Sequence, residues 1–78
     1  MTFRITSIHA FISVGDDDEE GVIGAPIGPR GEMMPLIAAD EKRLRELAPI
    51  ALALAQLEHL HVKLIRFTHR EEISDMGN

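Results

Sequence analysis

The sequence predicts a two-layer α+β domain of order β-β-β-α-β. Three observations carry this. Residues 3–38 are rich in β-branched and other apolar residues, with Gly and Pro at intervals. Residues 40–58 switch to a helical period, and residues 61–67 return to alternation.

The first strand spans residues 3–14. Phe3, Ile5, Ser7, His9, Phe11 and Ser13 share one face, and Arg4, Thr6, Ile8, Ala10, Ile12 and Val14 the other. Gly15 opens a turn, and the acidic run Asp16, Asp17, Asp18, Glu19, Glu20 fills a hairpin loop. A short second strand covers residues 21–27, where Gly24 and Pro26 argue for an edge or a bulge. Gly28-Pro29-Arg30-Gly31 is a turn, and a third strand over residues 32–38 contains Pro35, again an irregular or edge position.

A helix follows from about residue 40 to about 58, with Asp40 as N-cap, Glu41 in the first turn and Arg43 at the third position. Leu44, Leu47, Ala48, Ala51, Leu54, Ala55 and Glu58 form one stripe, which Ile50, Leu57 and Leu52 widen beyond what one sheet face needs. Pro49 either kinks this helix or splits it in two. Residues 61–67 form the last strand. Thr68-His69-Arg70-Glu71 has the form of a capping box, which predicts a further helical turn, and residues 74–78 fray. The simplest topology is a three-stranded meander, a crossover helix, and a last strand lying parallel beside the first, in sheet order 3-2-1-4. Strand one is apolar on both faces while one helix covers only one. The open face is therefore expected to meet a second copy of the chain or another partner.

The 78 residues suit one small domain with a thin core, since a chain of this size buries only about 60% of its unfolded surface. That leaves little room for a deep catalytic cleft. The absence of cysteine excludes a disulfide framework and thiolate metal sites, in keeping with a reducing cytoplasm. No apolar run reaches membrane-spanning length, and Met1-Thr2-Phe3-Arg4 does not open like a signal peptide, so no membrane association is expected.

Thirteen acids face 8 bases; removing the 5 consecutive acids leaves 8 against 8, so the net charge of −5 comes entirely from one pentapeptide. The bases are scattered, at Arg4, Arg30, Lys42, Arg43, Arg45, Lys63, Arg66 and Arg70. Direct nucleic-acid binding needs clustered Lys and Arg against phosphates, and the chain lacks the cluster. The expected partner is a basic protein surface, with Asp16, Asp17, Asp18, Glu19 and Glu20 as the binding residues. The competing reading of the same run is a hydrated hairpin tip that aids solubility. Calcium fits poorly, because an EF-hand alignment places Ile27 where a bidentate Glu is needed.

No catalytic site emerges. The serines are Ser7, Ser13 and Ser74, there is no Cys or Tyr, and no nucleophile elbow or phosphate-binding glycine motif is present. A non-enzymatic protein without cofactor is expected. His59 and His61, with Glu58 and His9, could form a small metal or ligand site if they shared a face; equally, a His at a helix end interacts with the dipole. Met33-Met34 and the wide helix face suit either core or an adaptable contact.

The layout His9-Ala10-Phe11-Ile12-Ser13-Val14, an acidic hairpin, Met34-Pro35-Leu36-Ile37-Ala38-Ala39-Asp40-Glu41, a helix with Pro49-Ile50-Ala51, and Val62-Lys63-Leu64-Ile65-Arg66-Phe67 resembles small proteins of proteobacterial phages and mobile elements. Among such proteins are the anti-CRISPR inhibitors of type I effectors. The resemblance covers residues 7–73 in layout. It implies a phage protein acting in the cytoplasm of the bacterial host. Its partner would be a type I CRISPR surveillance complex (Cascade), whose DNA binding it would block as a partial DNA mimic. The alternative is a homodimeric accessory or regulatory protein.

Overall fold

A computed structural model describes residues 4–77. Its centre is β1 (Ile8–Val14), a run that carries the β-branched Ile8, Ile12 and Val14 and the aromatic Phe11. On one side β1 pairs antiparallel along its whole length with β6 (His61–Phe67), from Ile8 opposite Phe67 to Val14 opposite His61. On the other side it is covered by two short strands placed end to end. β2 (Glu20–Val22) pairs with Ile12, Ser13 and Val14, and β5 (Ile37–Ala38) with His9 and Ala10, both antiparallel.

Between β2 and β5 the chain leaves the sheet as a separate hairpin, β3 (Gly24–Ala25) against β4 (Met34–Pro35). Phe11 marks the branch. Its N–H donates to the Leu36 carbonyl (3.1 Å), its carbonyl accepts from the Ile23 N–H (3.2 Å), and the Leu36 N–H donates to the Ile23 carbonyl (2.8 Å). All three residues are buried, so the branch point satisfies its backbone groups where water cannot. The tip of the hairpin is a tight turn. Gly31 adopts φ 80°, and the Gly28 N–H donates to the Glu32 carbonyl at 3.0 Å.

The single helix, α1 (Glu41–Glu58), begins as expected: Asp40 is its N-cap, with the Arg43 N–H donating to Asp40 Oδ1 at 2.8 Å. It runs unbroken through Pro49, so the two-helix alternative falls away. It ends at His59 in the left-handed region (φ 54°), with the Leu60 N–H donating to the Ala55 carbonyl at 3.0 Å.

Phe11, Ile23, Ala25, Leu36, Ala38, Leu47 and Ala51 form the core, and Ile27, Leu44, Ile50, Leu54 and Val62 pack against it. Ile50 therefore belongs to the core face of α1, while Ala48 is exposed and Ala55 lines a groove beside β6. The fold is α+β with antiparallel pairing throughout its sheets.

Several expectations need correction. β6 lies beside β1 as expected, but antiparallel to it, and the third strand shares an edge of β1 with the second instead of lying outside it. Sheet order 3-2-1-4 is not what forms. The cause is the outward hairpin. It returns the chain to β1 in the direction β2 was already running, so the helix starts from a strand antiparallel to β1. The crossover then delivers β6 parallel to β5, with β1 between them. The second and third strands each break in two at the branch. β1 starts at Ile8, not residue 3, and residues 68–77 contain no helical turn. The expectations for Met1, Thr2, Phe3 and Asn78 lie outside the described residues.

Candidate interaction surface

The acidic run forms the β1–β2 hairpin. The Asp18 N–H donates to the Gly15 carbonyl (3.1 Å), and the Gly15 N–H donates to the Glu19 carbonyl (2.8 Å). Asp18 adopts φ 58°. This is the hairpin geometry in which a turn is followed by one left-handed residue, a place usually given to Gly. Asp and Asn tolerate that region better than other side-chain-bearing residues, so Asp18 has a backbone reason to be there. All five acidic residues are exposed, and none takes part in the ion pairs found among the described residues. The pairs that do form are local, Arg45 with Glu41 (3.1 Å) and Arg43 with Glu46 (3.8 Å) on α1, while His69 Nε2 lies 3.8 Å from a Glu71 carboxylate oxygen.

The turn is continuous with an open apolar face. Core residue Phe11 faces α1, so alternation puts Ile8, Ala10, Ile12 and Val14 on the opposite face of β1. The pairing extends that face to Val22 and Glu20 on β2, Ile37 on β5, and Lys63, Ile65 and Phe67 on β6. Ala10 and Ile12, flanked on both sides, are buried. Val22 (52%), Phe67 (51%), Ile37 (38%) and Ile8 (37%) remain exposed. Glu20 carries the acidic turn onto the rim of this patch, opposite Val14.

The sequence placed Ile8, Ile12 and Val14 on one face but could not show that Val22, Ile37 and Phe67 join them. Pairing register decides that, and register is not written in any one strand.

A second apolar surface lies on the helix side, between α1 and β6. It is a groove of about 410 Å³ lined by Phe11, Ala51, Leu52, Leu60, Val62 and Leu64 among others. Leu52 and Leu64, 60% and 51% exposed, form its lips.

The histidines do not converge. His59 caps α1, and His61 opens β6 opposite Val14. His9 sits on the other face of β1, where Arg66 Nε donates to its Nε2 at 3.1 Å. The described residues contain no grouping of three or more His, Asp or Glu side chains able to hold a metal ion.

What this structure defines is a small two-layer α+β domain with an acidic turn beside an uncovered sheet face. Comparisons with protein-family models, with curated proteins and with solved structures find no match. Among the described residues no helix is long and apolar enough to cross a membrane.

Proposed function

We propose that this chain is a non-catalytic protein-binding inhibitor that docks on a basic protein surface. One observation carries the reading: five exposed acids are continuous, through Glu20, with an uncovered apolar sheet face. The acids steer association toward a positive surface, and the apolar residues supply the contact area that holds the complex. Charge confined to one turn suits the mouth or one wall of a nucleic-acid channel better than imitation of a whole duplex. For the target we propose a type I CRISPR surveillance complex, on the resemblance of layout to phage-borne inhibitors. Such complexes hold nucleic acid in a positively charged channel.

The test is binding of the purified chain to a purified type I complex, followed by competition with target DNA. Tight binding at low salt that weakens as salt rises, with loss of DNA capture, is the expected result. A variant with Asp16, Asp17 and Asp18 changed to Asn, and Glu19 and Glu20 to Gln, should bind at least tenfold more weakly while keeping its circular dichroism. Equal binding by that variant removes the acidic turn from the mechanism. No binding by the wild-type chain removes the proposed target.

A further inference from the structure

We propose that two copies of this chain pair through the outer edge of β6, two-fold about Leu64, into one continuous sheet. This does not rest on the acidic-turn reading, since β6 lies on the opposite edge of the sheet from β2.

The chain exposes 6658 Å², whereas a folded monomer of its 8.7 kDa is expected to expose about 4,700 Å². Its radius of gyration is 14.4 Å, against about 11.5 Å for a compact chain of this length. The exposed segment 68–77 accounts for much of the excess, and the uncovered apolar surfaces contribute as well. A standard interface takes about 800 Å² from each partner, which the β6 edge and the groove beside it would supply.

The two edges of the sheet differ. The β2/β5 edge is broken into pieces of 3 and 2 residues by the outward hairpin, a form that resists strand addition. β6 presents an unbroken run of 7 residues, with no strand on its outer side among the described residues. Its register with β1 fixes which backbone groups face outward. Phe11 turns its N–H and carbonyl toward Leu36 and Ile23, so Leu64, directly opposite Phe11, turns its own away from β1. By alternation Val62 and Arg66 do the same.

An antiparallel partner must match outward-facing residues with outward-facing residues. Pairing Leu64 with Leu64 of the other copy, and Val62 with Arg66, does this and uses the whole strand. On the open face it sets Lys63 against Ile65 and His61 against Phe67, so no like charges lie opposite. Moving the pairing centre to Lys63 would oppose two ammonium groups. On the helix side the same pairing joins the two grooves edge to edge and brings Leu64 and Leu52 of both copies toward one apolar seam. The dimer is closed, because the edges left at either end are the broken ones.

The test is the mass of the full chain in solution at micromolar to 100 µM concentration, by light scattering and sedimentation. Twice 8.7 kDa is expected. Leu64→Pro removes an outward-facing donor at an edge-strand position where proline is tolerated, and Leu64→Lys places two charges on the two-fold axis; each should halve the mass while circular dichroism is retained. The chain has no cysteine, so Leu64→Cys and the exposed Leu57→Cys supply a readout that holds even if those variants unfold. Leu64→Cys should oxidise to a covalent dimer, and Leu57→Cys should not. A monomeric wild-type chain overturns the proposal. So does a dimer that survives both folded Leu64 variants, or one that cross-links equally through position 57.

Discussion

Arg66 and His9 face each other across the β1–β6 pair, and the Arg66 Nε–H donates to His9 Nε2 at 3.1 Å. An accepting Nε2 requires a neutral imidazole with its proton on Nδ1. That Nδ1 is buried and has no hydrogen-bond partner. The ring therefore makes one exposed hydrogen bond and leaves one buried donor unmet.

The two effects have different sizes. A hydrogen bond from a charged group contributes at most about 1.5–3 kcal/mol, and this one is exposed, so water replaces most of it, whereas an unsatisfied buried donor costs about 1–3 kcal/mol. Arg66 is exposed and recovers its lost bond from water. His9→Leu should therefore be neutral or stabilise the fold by up to about 1 kcal/mol, measured as the shift in the urea midpoint. A loss of more than 1 kcal/mol would mean that Nδ1 has a partner in solution.

Asp18 occupies a left-handed position (φ 58°) in the acidic turn. Asp18→Gly should raise stability by up to about 1 kcal/mol, because glycine adopts that conformation without a Cβ penalty. Asp18→Val should lower it by about 1–2 kcal/mol. Thermal melts of the two variants give the comparison, and the order Gly above Asp above Val is the expected result.

Pro49 lies inside α1 and cannot donate to the Arg45 carbonyl. Both residues are exposed, so no packing compensates for the missing bond. Pro49→Ala should stabilise the domain by about 1–3 kcal/mol, less than the full proline penalty because the unfolded chain also gains freedom. Denaturant titration decides this; a destabilised variant would show that Pro49 helps to seat Leu47 and Ile50 on the sheet.

Leu47 is the place to test the core itself. It is fully buried, and with Leu36 it is the largest fully buried side chain. Leu47→Ala should cost about 2–5 kcal/mol, a large share of the stability of so small a domain. A cost below 1 kcal/mol would show that α1 can slide to fill the space.

Local features were legible in the sequence where short-range chemistry decides them. Asp40 signals the helix start because its carboxylate reaches the Arg43 N–H three residues on. His61 to Phe67 reads as a strand because its residue types and alternation leave no competing form. The acidic turn was visible in the same way, as a charge run beside Gly15. Short-range chemistry thus set the α+β class, the approximate ends of the helix and last strand, and the position of all the excess charge, but not the helical turn expected at residues 68–71, which does not form. Tertiary structure decided the rest. Gly24, Pro26 and Pro35 announced irregular strands, but only the meeting of Phe11, Ile23 and Leu36 turned that irregularity into a hairpin leaving the sheet. That branch reverses the sense of the chain as it enters the helix and so makes β6 antiparallel to β1. Register then gathers Val22, Ile37 and Phe67 onto one face. Such pairings join residues far apart in sequence, and their free energy comes from burying side chains together, which no local pattern records.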